Sequence, residues 1–198
     1  MSKILTSLNN TVIAGFGLSI ILFIIYYTGQ GYSGFDFGVF FFRWLHVLSG
    51  VMWIGLLWYF NFVQIPNMAK IPDDQKPAIG KVIAPAALFW FRWAAMATIV
   101  TGLIVAYMNG YAKEAMMLGL TDGVPKHMAI GIGMWLGIIM WGNVWFVIWP
   151  NQKKALGMVE CTPEEKAAAA RTAMLFSRTN TLLSIPMLFA MVSAQNLY

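Results

Sequence analysis

Five apolar stretches, at about residues 9–28, 37–64, 84–108, 126–149 and 172–194, govern what this chain can fold into. A helix needs about 20 mostly apolar residues to cross the hydrocarbon of a bilayer, and each stretch is long enough. The second exceeds that length, so it must tilt or extend beyond the membrane. Of the 198 residues, 59% are hydrophobic and 11% charged. A soluble domain carries roughly 25% charged residues because its surface faces water. Mean hydropathy is +0.66. Nine Trp and fourteen Phe suit helices that end in aromatic belts at the headgroups. The expected fold class is an all-α integral membrane protein, with the lipid bilayer as its first partner.

The breaks between the stretches carry turn and stop signals. Pro66, Pro72 and Pro77 lie with charges after the second span, and Asp122-Gly123-Val124-Pro125 opens the fourth. Trp149-Pro150-Asn151 closes that span, and Thr162-Pro163-Glu164-Glu165 starts an alanine-rich segment leading into the fifth. The expected organisation is an N-terminal transmembrane helix in residues 1–35 and a four-helix membrane domain in residues 36–198. No small-residue cleavage site follows the first apolar run, since Gly29-Gln30-Gly31-Tyr32 comes next. The first span is therefore read as retained and not as a cleaved signal peptide.

The formal charge of +5 is spread over the loops, which reads as membrane topology and not as nucleic-acid binding. Lys3, Lys70, Lys76, Lys81, Lys153, Lys154, Lys166 and Arg171 fall on one side. Lys113 and Lys126 fall on the other, with Arg43 just inside a span. The positive-inside rule makes the first side cytoplasmic, with the N-terminus inside and the C-terminus outside. The single cysteine, Cys161, excludes a disulfide framework, a thiolate cluster and a C-x-x-C-H haem attachment.

The only two histidines, His46 and His127, both fall inside spans. Ionisable groups are costly there and mark functional candidates. The second and fourth spans run in the same direction, so both imidazoles belong to the external half, at depths that differ by roughly 10–12 Å. Haem b suits this pattern, because it takes imidazole ligands and needs no cysteine. Gly50 and Gly131 lie one turn from His46 and His127, where a missing side chain would let a flat macrocycle approach. Arg43 and Lys126 are candidates to pair with propionates. Interhelical hydrogen bonding by the histidines and close packing at the glycines is the alternative on spacing alone.

Toward the cytoplasmic half, four spans carry polar residues bracketed by aromatics. Asn61 and Gln64 lie in the second, Arg92 in the third, Asn143 in the fourth and Asn180 in the fifth. A central membrane arginine is priced near +2.5–3.5 kcal/mol by translocon scales, so Arg92 must snorkel or find partners. Two readings fit the belt: an interhelical hydrogen-bond network, or a site for a planar ligand such as a quinone or purine. The only carboxylate in any span is Asp36, at the very edge of the second. Proton pumping through buried acids therefore has no support.

The stretch from Arg43 to Gly55 resembles the R-W-L-H-x-x-x-G-x-x-W-I-G pattern of the urate oxidase N-terminal membrane domain, also described as the PuuD-type urate hydroxylase family. The resemblance continues through Tyr59 to Val63 and Phe91-Arg92-Trp93. It is strongest from Asn143 to Lys154 and closes with Ser177 to Thr181 and Leu183 to Phe189. The entry motif of Leu45-His46 followed by Trp53 is similar, more weakly, to four-helix haem-b proteins such as HemJ-type protoporphyrinogen oxidases. The resemblance covers about residues 40–194 and implies a membrane redox protein, in a bacterial inner membrane, with His46 at the family's first-span histidine. Its longer members carry a cytochrome c domain, whereas this sequence has no C-x-x-C-H. It also has Gln195-Asn196 where the family often places a last histidine. The expected role is an electron-transfer subunit of a larger complex, working with other membrane subunits or a cytochrome c-type redox partner. The alternatives are a cofactor-free accessory subunit and a urate-type membrane oxidase.

Overall fold

The structure is a computed structural model and describes residues 2–31 and 33–198. Tyr32, part of the stretch read as lacking a cleavage site, lies outside the described residues. All regular structure among them is helical. In chain order the helices are α1 (Ser2–Leu5), α2 (Leu8–Gln30), α3 (Gly34–Lys70), α4 (Lys76–Met108), α5 (Ala112–Met116), α6 (Pro125–Ala155) and α7 (Pro163–Asn196). Helices α2, α3, α4, α6 and α7 are long and apolar enough to cross a membrane, which makes the chain an all-α integral membrane protein.

The chain divides into two compact units, Met1–Phe41 and Phe42–Tyr198. In the first unit, α2 ends on Gly31, whose φ of 66° is the left-handed conformation that glycine adopts without a Cβ penalty. Ser33 then starts α3: its hydroxyl accepts from the Asp36 backbone N–H at 3.1 Å and donates to the Asp36 carboxylate at 2.6 Å. Phe23 packs edge-on against Phe37, Phe40 and Phe41. The apolar side chains of α2 are largely exposed, as expected of a surface whose solvent is lipid.

In the second unit, pairwise contacts close a four-helix ring. Phe60 of α3 meets Phe91 of α4, and Trp93 of α4 meets Trp145 of α6. Asn143 of α6 meets Asn180 of α7, and Ser177 of α7 returns to Asn61 of α3. The core lies inside this ring, built on Trp53, Leu57, Phe91, Met140, Val144 and Ile148. Helix α7 is opened by Thr162 and Glu165, which cap each other reciprocally.

The helices run past the apolar boundaries, and the prolines explain how. Pro66 and Pro150 do not stop α3 and α6, which continue to Lys70 and Ala155. Proline removes the N–H owed to the carbonyl four residues back, and its ring crowds that carbonyl. Here the helix widens just before the proline, so that N–H groups reach five residues back. Ile65 donates to Phe60, Ala84 to Ile79 and Trp149 to Val144. Each wide stretch, Tyr59–Gln64, Ile79–Ile83 and Asn143–Ile148, ends two residues before a proline: Pro66, Pro85 and Pro150. Such π turns occur often at functional sites. Two of them carry Asn61, Gln64 and Asn143.

Candidate functional site

The histidine end is organised by hydrogen bonds to one ring nitrogen of each imidazole. His46 of α3 meets α4, with its Nδ1 2.9 Å from the Thr98 backbone carbonyl. A carbonyl only accepts, so Nδ1 carries the proton and Nε2 keeps its lone pair. Gly102 makes room for the ring: a Cβ there would lie 2.8 Å from His46 Cε1. Gly50, one turn away, is less confined, since a Cβ would meet only the Thr98 methyl at 4.0 Å.

His127 stands apart from that contact. Its Nδ1 donates to the Asp122 carboxylate at 2.5 Å, across the Gly123-Val124-Pro125 turn that starts α6. The His127 hydrogen bond, with a second from the Val124 backbone N–H, holds the Asp122 carboxyl below the usual carboxylate range. The His127 ring stacks on Tyr111, with centroids 6.1 Å apart. Burial pushes the Tyr111 hydroxyl up, and the positive charge of Arg43 opposes that shift. Arg43 also donates to the Asn109 side-chain oxygen at 3.5 Å. Arg43 and His127 are thus gathered around Tyr111, while His46 engages Thr98 and Gly102. Among the described residues the two histidines share no partner. Gly131 is buried against the carbonyl of Ala115 in α5, so its missing side chain serves a helix-to-helix contact.

The belt's amides join α3, α6 and α7. Asn180 is 0% exposed, donates to the Met140 carbonyl at 2.9 Å, and accepts from Asn143 at 2.8 Å. Asn61 donates to Ser177 at 2.8 Å and to the Leu57 carbonyl at 2.9 Å, and the Trp58 indole donates to Ser184 at 3.0 Å. The amides of α3, α6 and α7 therefore form an interhelical network.

Arg92 does not join that network. Its guanidinium carbon lies over Trp149, 3.3 Å from the ring centroid, and the Lys153 ammonium lies 5.7 Å from the same ring. Among the described residues the ion pairs are Lys76–Asp73 and His127–Asp122, so no carboxylate neutralises Arg92. Arg92 Nε and Nη1 are buried without a hydrogen-bond partner, as are Trp145 Nε1, Gln152 Oε1, Gln64 Oε1 and Asn61 Oδ1. Buried polar atoms are ordinarily paired, so each orphan calls for an explanation.

Sequence reasoning did not single out Tyr111, Asp122, Gly102 or Trp149. Asp122 was signalled by its place five residues before His127 across a Gly-Val-Pro turn. Trp149 was read only as part of a stop signal, and Tyr111 and Gly102 carry no local motif.

Residues 124–197 match the protein-family model described as urate oxidase N-terminal. No curated protein and no solved structure matches the chain. The matched segment takes in His127, Gly131, Asn143 and Asn180, covering all of α6 and α7. The match is to the same family that the motif pattern resembles, and it is confined to residues 124–197.

Proposed function

We propose that this urate-oxidase-related membrane protein is an electron-transfer subunit that carries haem b on His46 near the external face. One observation carries the reading: the His46 Nδ1 hydrogen bond to the Thr98 carbonyl, in a slot kept open by Gly102. Iron-ligating histidines are commonly oriented this way, with the far nitrogen held by a carbonyl and Nε2 presented to the metal. The residues present therefore fit a haem ligand at His46. Haem b, when bound, supplies a one-electron redox centre.

The chain's own groups do the rest. Thr98 fixes the ring's tautomer and orientation, and Gly102 sets how closely α4 approaches it. Arg43 supplies positive charge one helical turn from His46, suited to a propionate. His127 is the candidate second ligand, although its Nδ1 is committed to Asp122 and its ring to Tyr111. The family match over residues 124–197 supports the urate-related class. Electrons would pass to other membrane subunits or a cytochrome c-type partner. Protein purified from haem-sufficient cells is expected to give a Soret band, with split alpha and beta bands on reduction. A colourless, folded preparation would favour a cofactor-free accessory subunit.

A further inference from the structure

Buried polar atoms without partners occur on α3, α4 and α6, and one group of them lies where α4 meets the end of α6. The guanidinium carbon of Arg92 lies over the Trp149 ring, 3.3 Å from its centroid. Gln152 is three residues beyond Trp149 and so shares its helix face. Trp145, a turn earlier, meets Trp93 of α4 with ring centroids 5.4 Å apart. These side chains line one interface, and they contribute three buried unpaired donor atoms, Arg92 Nε, Arg92 Nη1 and Trp145 Nε1. They also contribute one buried unpaired acceptor, Gln152 Oε1. A buried donor or acceptor left unpaired loses its hydration without a replacement hydrogen bond. A ligand that accepts at one edge and donates at another would supply that bond.

We infer that this corner binds the head group of a membrane quinone, in a way that deepens the redox reading above and rests on it. An oxidised quinone ring offers two carbonyl acceptors and no donor, which matches the Arg92 and Trp145 N–H groups. The quinol form offers two hydroxyl donors, which matches the Gln152 oxygen. The rim selects a lipid-soluble ligand over a water-soluble one: Trp93 and Phe89 are each 49% exposed and Phe146 is 72% exposed. These aromatics face hydrocarbon in a membrane, so a ring on an isoprenoid tail enters from the side without crossing a polar surface.

The test is a titration of purified full-length protein in quinone-free nanodiscs with decylubiquinone, read by quenching of tryptophan fluorescence. Saturable quenching is expected, weakened at least tenfold in Arg92→Gln and Gln152→Leu, and unchanged in the remote variant Lys113→Gln. Each variant is first checked for unaltered helicity and elution volume, and Gln152→Leu keeps the test alive where Arg92→Gln fails to fold. Unsaturable quenching in wild type would overturn the inference, as would equal affinity in both site variants. Displacement by equimolar urate would overturn the quinone assignment in favour of a soluble planar anion. The haem spectrum is recorded on the same samples. Quinone binding without a Soret band leaves this site standing and removes the electron-transfer reading, and a Soret band without quinone binding does the reverse.

Discussion

The two ends of the four-helix ring treat their polar side chains differently. At the histidine end, Arg43 is held by Asn109, His46 by Thr98, and His127 by Asp122. At the belt end, the asparagines pair across helices through their amide N–H groups, while Arg92, Trp145, Gln152, Gln64 and the Asn61 oxygen keep buried atoms without partners. A paired group is oriented, and an orphaned one is poised for something else. The comparison therefore separates residues that set geometry from residues that await a ligand. In the readings proposed above, a ring nitrogen at the first end would take iron and the donors at the second would take a carbonyl.

Substitutions can break that contrast, and the largest effect is expected at Gly102. A Cβ at Gly102 would lie 2.8 Å from the His46 ring, so Gly102→Ala is expected to move the imidazole and remove most haem absorbance per folded protein. Gly131→Ala makes the paired control. It meets the Ala115 carbonyl, a backbone atom that cannot swing aside. It is expected to destabilise by about 1–3 kcal/mol, with haem per folded protein unchanged. Thermal melts beside absorbance spectra distinguish the two outcomes, and similar haem loss in both would erase the distinction between a ligand slot and a packing contact.

Asn180→Ala comes next. It strips partners from Asn143 and from the Met140 carbonyl, and membrane hydrogen bonds of this kind average about 0.6 kcal/mol, with a maximum near 1.7. A loss of about 1–2 kcal/mol in a denaturant titration is expected, with no change in quinone affinity. A large fall in quinone affinity would merge the network with the Arg92 corner.

The smallest effect is expected at Asp122. Its carboxyl is held low by His127, so its contribution is present above the ordinary carboxylate pKa and is lost as pH falls through the lowered value. Wild type should therefore lose a small increment of stability between about pH 4 and more acid conditions, and Asp122→Asn should lack that step. Melting temperatures measured across that range check it, and parallel curves for the two proteins would count against the pairing.

Much of the fold was legible because hydrocarbon imposes a simple rule: spans must be long, apolar and helical. Both helix ends and proline positions were less legible. Pro66 and Pro150 read as stops, yet the wide turns before them carry the helix on, and nothing local to those prolines distinguishes a stop from a bulge. The belt residues were visible as polar letters in apolar spans. Which of them pair was not visible, because pairing depends on how α3, α4, α6 and α7 are rotated. Gly50 and Gly131 looked equivalent as glycines one turn from a histidine. The structure separates them, since only Gly131 is filled by a neighbouring backbone carbonyl.

The most direct measurement of the account is the reduced-minus-oxidised absorbance spectrum of His46→Ala beside wild type, both purified from haem-sufficient cells and matched for helicity. A Soret band with sharp alpha and beta bands in wild type, absent from His46→Ala, is the predicted result. A wild type without those bands, or a His46→Ala variant that retains them, would contradict the assignment of His46 as the haem ligand.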